Sequence, residues 1–172
     1  AVASLMEADV DMFSAIVGTP DNLAVRDTLN DNCYPQLLAL TGSPDWAEPV
    51  DYPWTTGALT SYTVESKIYA GSIAEQFPDG ATVALFHVNN EFGQVYVDAF
   101  EDMADDYGIE IVTDQTVEAI DQTPPTSQLT NIAAEAPDVI MAVPLGAQCI
   151  SFLTELANAK AVNAGWDPKV YI

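Results

Sequence analysis

Thr82-Val83-Ala84-Leu85-Phe86-His87 is an unbroken apolar run of strand length, closed by the only histidine of the chain. The residues on either side repeat one grammar. A helix-period stretch at 91–107 follows it, then a strand candidate at 110–113, a helix at 127–136, a strand at 139–143, a helix at 147–161 and a last strand at 170–172. Toward the N-terminus lie a helix at 62–76 and two strand candidates, 12–17 and 36–40, flanking a helix at 21–29. The later strand centres recur at roughly 25–30 residues, the period of a βα unit. These strands are rich in Val, Ile and Leu without strict alternation, as parallel strands covered on both faces are. The reading is an α/β fold with parallel sheet.

Composition narrows the function. The 172 residues carry 26 acidic and 4 basic side chains, a formal charge of −22. Binding a nucleic-acid backbone needs a Lys/Arg face, and Arg26, Lys67, Lys160 and Lys169 do not make one. An anionic membrane surface is disfavoured for the same reason. Disorder is not implied, because 49% of the residues are hydrophobic. The acidic blocks at 9–11 and 101–106 read as solvated helix faces. The N-terminus, Ala1-Val2-Ala3-Ser4-Leu5-Met6-Glu7, lacks a basic segment and cleavage site and reads as an amphipathic helix already under way. Together with a strand just starting at the other end, this suggests an internal piece of a longer protein.

Cys33 and Cys149 are 116 positions apart, with no CxxC and a single His, so a zinc site is not expected. Two buried free thiols and two half-cystines with outside partners remain equally open. His87 reads as a structural partner or pocket wall. Without a second His or a GxSxG elbow, acyl-transfer triads have no support. Neither GxxxxGK[ST] nor GxGxxG occurs, so no nucleotide cofactor is indicated. The acidic residues at 98–108 do not fit an EF-hand loop.

Two loops share a pattern. The strand at 12–17 runs into Gly18-Thr19-Pro20-Asp21-Asn22, and that at 36–40 into Thr41-Gly42-Ser43-Pro44-Asp45-Trp46. Each reads Gly, hydroxyl residue, Pro, Asp. Thr19 and Ser43 are expected at N-cap positions, with Pro20 and Pro44 as first helical residues. In a parallel sheet such loops lie at the carboxyl ends of neighbouring strands, where open sheets bind ligands. Amides at a helix start plus a hydroxyl make a neutral receptor for a carboxylate. Ordinary capping explains the same residues without a ligand. The segment 45–60, with Pro49, Pro53, Trp46, Trp54 and Gly57, breaks the βα rhythm, and a lobe boundary or hinge is expected at 56–61. Trp46 and Trp54 are expected to pack under the second loop.

At these residues a family resemblance becomes specific. Ile16-Val17-Gly18-Thr19-Pro20-Asp21-Asn22, Pro35-Gln36-Leu37-Leu38-Ala39-Leu40-Thr41-Gly42-Ser43 and Tyr52-Pro53-Trp54-Thr55-Thr56-Gly57 resemble type I periplasmic binding proteins, closest to the branched-chain amino acid branch of ABC importers. The run at 83–90 with Glu91-Phe92-Gly93-Gln94, and Ala136-Pro137-Asp138-Val139-Ile140, are similar to later motifs of that family. The resemblance implies Rossmann-like lobes, part of lobe one at 1–57 and the core of lobe two at 58–172, which close on a small ligand. It implies ligand contacts from Gly18, Thr19, Thr41, Gly42 and Ser43 on lobe one and from Phe92 and Leu145 on lobe two. Phe92 stands where the family usually has Tyr, which keeps an aromatic wall and removes a hydroxyl.

The function implied is the extracytoplasmic substrate-binding component of an importer, taking a branched-chain or related amino acid or similar small carboxylate. No catalysis, cofactor or metal is implied, and the partners are a membrane permease and an ATPase. A ligand-sensing domain of the same fold, or a Rossmann-like enzyme fragment, is the alternative. Lobe one retains two strands in this reading, so an uncovered sheet edge is expected to drive self-association. Cys149 is expected to pair with a cysteine beyond position 172.

Overall fold

The computed structural model describes all residues, 1–172. The chain divides into two compact units, Ala1–Glu65 and Ser66–Ile172, each with its own parallel sheet.

The first unit contains α1 (Val2–Glu7), β1 (Phe13–Ser14), α2 (Thr19–Asp31), β2 (Gln36–Ala39), a 3-10 turn (Pro44–Ala47) and β3 (Thr55–Gly57). Its strands pair in the order β1-β2-β3, both pairs parallel. Three expectations change here. The strand expected at 12–17 shortens to Phe13–Ser14 because Ala15 turns into the left-handed region at φ 57°, and an isolated bridge from Val17 to Leu40 resumes the pairing. Leu38 in the neighbouring strand takes the same φ of 57°, where the β2–β3 register shifts. Its amide then donates to the hydroxyl of Thr56 at 3.1 Å. Each such non-glycine residue costs about 1–2 kcal/mol, which the surrounding sheet must offset.

Second, the segment expected to be hinge and turn supplies the third strand, so Thr56 and Gly57 are sheet residues. A three-residue strand ending in glycine leaves no periodicity to read. Gly57 lies close under Trp46, where a Cβ would stand a tight 3.1 Å from that side chain. Third, α1 buries no residue, so its amphipathic pattern has no core to face in this unit, and Asp9 at φ 57° lies in the turn after it.

The second unit is the regular one. After α3 (Tyr62–Gln76), which begins in the first unit, come β4 (Ala81–Val88), α4 (Glu91–Ala104) with a 3-10 extension (Asp105–Tyr107), β5 (Ile109–Val117), α5 (Thr126–Glu135), β6 (Val139–Val143), α6 (Ala147–Val162) and β7 (Lys169–Tyr171). The sheet order is β5-β4-β6-β7, every pair parallel. The run that opens the sequence analysis is therefore a central strand, and seven of its eight residues are buried. Ala84 and Phe86 point to one face and join Ile140, Ala142, Leu129, Ile132, Phe152 and Leu156 in the core, with the Phe86 and Phe152 rings 4.8 Å apart. Val83 and Leu85 point to the other face and are as deeply buried. The strand expected at 110–113 extends to nine residues, because its polar residues Asp114, Gln115 and Thr116 pair with β4 as well as its apolar ones do. At the amino ends, the Asp138 carboxylate accepts from the Thr82 amide at 2.9 Å and hydroxyl at 2.7 Å, which pins the entries of β4 and β6 together.

Candidate functional site

The first unit places its two candidate loops at the carboxyl ends of β1 and β2. Gly18, at φ 93° and ψ 141°, is the cap of α2, so Thr19 is the first helical residue and Pro20 the second. The expected Thr19 cap is thus shifted by one residue. A conformation at φ 93° is open to glycine, and it frees the threonine side chain for another task. That task is visible. Thr19 Oγ1 and Thr41 Oγ1 lie 2.6 Å apart, both hydroxyls fully buried. They tie the two loops together.

Beneath them runs a buried polar relay that the sequence reading did not single out. The Asn22 amide donates to the carbonyls of Ile16 and Gly18, both at 2.8 Å, and accepts from Gln36 Nε2 at 2.8 Å. Gln36 in turn accepts from the Thr55 hydroxyl at 3.4 Å. The available signal was a glutamine opening an otherwise apolar strand. Buried amides of this kind persist only when hydrogen-bonded, and here they hold the Gly18 loop, β2 and β3 in one frame.

Gly42 and Ser43 have separate structural tasks. A Cβ on Gly42 would collide with the carbonyl of Thr60 and stand 2.6 Å from the Tyr62 ring, and the Tyr62 amide donates to the Gly42 carbonyl at 2.8 Å. Ser43 caps the 3-10 turn as expected, and its hydroxyl donates to the Asp45 carboxylate. Of the five lobe-one candidates, Ser43 borders an open hollow of about 280 Å³, lined also by Pro44, Trp46, Ala47, Gly57, Leu59 and Ser61. Trp46 packs against Gly57, as its place under the loop suggested.

The one arginine of this unit is committed elsewhere. Arg26 stacks on the Tyr52 ring at 3.6 Å, donates to the Asp45 carbonyl at 3.1 Å and pairs with Glu48 at 3.2 Å. The guanidinium is thus held by a ring, a carbonyl and a carboxylate.

The second unit builds a cavity at the carboxyl ends of β4 and β6. Asn90 caps α4, its side chain accepting from the amides of Phe92 and Gly93, both at 3.1 Å. This presents the Phe92 ring edge-on to Tyr96, with centroids 5.7 Å apart. Phe92 and Tyr96 line a cavity of about 150 Å³ with Tyr69, Ala142, Val143, Pro144, Cys149 and Ile172. No charged side chain is among them. Leu145 is not part of the lining and is half exposed; its amide donates to Gln148 at 3.3 Å. The sequence reading missed Tyr69, Tyr96 and Cys149, on α3, α4 and α6, and Pro144, in the loop after β6. Cys149 is partly exposed and Cys33 exposed, so of the two alternatives left open by the sequence, that of two buried thiols is not met.

His87 is the penultimate residue of β4, 2% exposed, with Nε2 3.1 Å from an Asp114 carboxylate oxygen and Nδ1 3.0 Å from the Val88 carbonyl. Burial alone would depress its pKa. The hydrogen bond and charge of Asp114, the Val88 carbonyl and the charge of Glu101 outweigh that and raise it above 6.5.

A larger hollow, about 620 Å³, lies at the opposite end of the sheet beside Pro137, Asp138, Trp166 and Lys169. It sits at the amino ends of β6 and β7, away from the edge where open α/β sheets bind ligands. No group of three or more His, Cys, Asp or Glu side chains is arranged to hold a metal ion, and no helix is long and apolar enough to cross a membrane.

Parallel α/β units with capped loops and an aromatic cavity at the strand carboxyl ends define an open α/β class of fold. Residues 1–169 match the periplasmic binding protein family, and the chain belongs to it. Its α/β units of parallel sheet and flanking helices have the architecture expected of type I members. Among solved structures it is similar to an extracellular ligand-binding receptor from Rhodopseudomonas palustris HaA2, with a TM-score of 0.84, 18% identity, and coverage of 97% of this chain and 44% of that one. It is also similar to a solute-binding protein of an R. palustris ABC transporter in complex with benzoate, with a TM-score of 0.78, 16% identity and coverage of 90% and 42%. A third, in complex with 4-hydroxybenzoate, gives a TM-score of 0.77 and 19% identity, covering 95% and 43%. The chain spans less than half the length of these proteins. None of the curated proteins matches it.

Proposed function

We propose that this chain is part of the extracytoplasmic substrate-binding component of an ABC importer, and that it binds a small carboxylate with an apolar body without transforming it. The observation that carries this reading is the uncharged, aromatic-walled cavity at the carboxyl ends of β4 and β6. Such a lining suits the hydrocarbon part of a ligand, whether the branched side chain of an amino acid or the ring of a benzoate. Removing about 80 Å² of apolar ligand surface from water contributes about 2 kcal/mol. Taken by itself, the first unit presents backbone amides at the start of α2, and the Thr19–Thr41 pair keeps that loop in place. In this reading Gly18, Thr41, Gly42 and Ser43 shape the loops, and Phe92 is the principal aromatic contact. Family membership supports an extracytoplasmic location, with a permease and an ATPase as partners. The unpaired edge of β1, next to exposed Met12 and Val17, supports self-association, which light scattering reads directly.

The test is a thermal-shift and calorimetric screen against L-leucine, L-isoleucine, L-valine, benzoate and 4-hydroxybenzoate. A native-state ligand at 100 times its Kd adds about 2.7 kcal/mol to stability. At least one of these probes should therefore raise the melting temperature, and Phe92→Ala should abolish the rise. A panel with no effect on melting overturns the proposal.

A further inference from the structure

The Val88 carbonyl is the pivot of the turn that delivers Phe92. It accepts from the Asn90 amide at 2.9 Å, lies 3.0 Å from His87 Nδ1, and abuts the α-carbon of Gly93 so closely that no Cβ fits there. His87 Nε2 faces Asp114 at 3.1 Å. Each ring nitrogen thus faces an oxygen acceptor, and both contacts are hydrogen bonds together only if both nitrogens carry protons. The neutral ring has one N–H and must give up one of the two. A buried imidazole braced in this way is a device for holding a turn whose state follows pH.

We infer that His87 is a positioning residue for the β4–α4 turn, clamped as the imidazolium between Asp114 and the Val88 carbonyl, and that loss of its proton loosens the aromatic wall formed by Phe92. The charged groups that act on it are Asp114 from β5 and Glu101 from α4. From β6 it is paired with Val143, which has no charge. The sign follows from these neighbours. Two carboxylates and a carbonyl favour the charged ring, so the brace is complete at acidic pH and is lost as pH rises through the folded-state pKa, above 6.5. Asp114 has a side chain 41% exposed, so its change to Asn alters the clamp without opening the core.

The inference rests on the binding reading only for its consequence in ligand affinity. His87 is the single histidine of the chain, so its ring resonances titrate alone in an NMR spectrum. Expected are a midpoint above 6.5, a fall of at least about threefold in the exchange protection of the Phe92 and Gly93 amides across that midpoint, and a lower midpoint in Asp114→Asn. His87→Gln keeps one donor and should flatten the pH dependence of those amides. If that variant does not fold, Asp114→Asn with the wild type decides. A midpoint at or below 6.5, or amide protection that does not follow the titration, overturns the proposal. If benzoate or L-leucine binds, its Kd should weaken about threefold for each half-unit by which binding raises the His87 pKa. Failure of both probes to bind counts against the proposed function, and the amide data still decide the role of His87.

Discussion

Thr19 and Thr41 show how two buried hydroxyls can tie neighbouring loops together. Their oxygens are 2.6 Å apart and fully buried, so one donates to the other and neither faces solvent. Removing Thr19 breaks this buried bond and leaves the Thr41 oxygen only the Ser43 amide, 3.3 Å away, at a cost of about 1–2 kcal/mol. Thr19→Ala should therefore lower stability to urea by about 1–2 kcal/mol, while Thr19→Ser, which keeps the oxygen, should lower it by less than about 1 kcal/mol. Equal stability of all three proteins would show that the pair contributes nothing. The Gly-Thr-Pro motif was legible in the sequence, yet the cap and the threonine's partner were not. The cap moved to Gly18 because its φ of 93° is decided by how the loop leaves β1, and a partner 22 residues away is set by strand pairing.

Among the elements, β4 and α6 carry the second unit. Phe152 of α6 is fully buried against Phe86 and lies in the cluster with Leu129 and Ile140. Phe152→Ala should destabilise by about 3–5 kcal/mol, since the sheet cannot collapse into the space left behind. Urea titration checks this, and a loss under about 1 kcal/mol would mean the core repacks. Elements of this unit were the readable ones. The helix at 62–76 and the strand at 139–143 stand where periodicity and apolar run length put them, because each buries a continuous face. The short strands β1 and β3 were misjudged for the opposite reason. Two or three residues, bounded by Ala15 at φ 57° and by Gly57 under Trp46, have no period to display.

For the whole molecule the dominant quantity is charge, 26 acidic residues against 4 basic. The cations are already engaged where their partners are shown: Arg26 with Asp45 and Glu48, and Lys160 with Asp167. Helix surfaces such as Asp98, Glu101 and Asp102 on α4 are exposed, and like charges on a compact body repel. Raising KCl from about 0.1 M to about 1 M shortens the screening length from about 10 Å to about 3 Å. Melting temperature should rise, by about 2–4 °C for each kcal/mol of repulsion removed. A melting temperature that stays flat or falls with KCl would show that this repulsion does not govern stability.

By itself the sequence determined the parallel α/β class and the alternation of strands and helices from Tyr62 onward, because these rest on apolar periodicity and on short capped loops, which are local; the family was legible only as a resemblance of motifs such as Gly18-Thr19-Pro20 and Thr41-Gly42-Ser43. The same charge count ruled out a nucleic-acid backbone as partner. Tertiary structure alone decided that Thr19 bonds Thr41, that Asn22 and Gln36 hold the loops from below, and that Tyr69, Tyr96 and Cys149 share a cavity with Phe92 while Leu145 stays outside it. It also placed both nitrogens of His87 against oxygen. Each of these joins residues from different strands and helices, and proximity of that kind is set by sheet order and register.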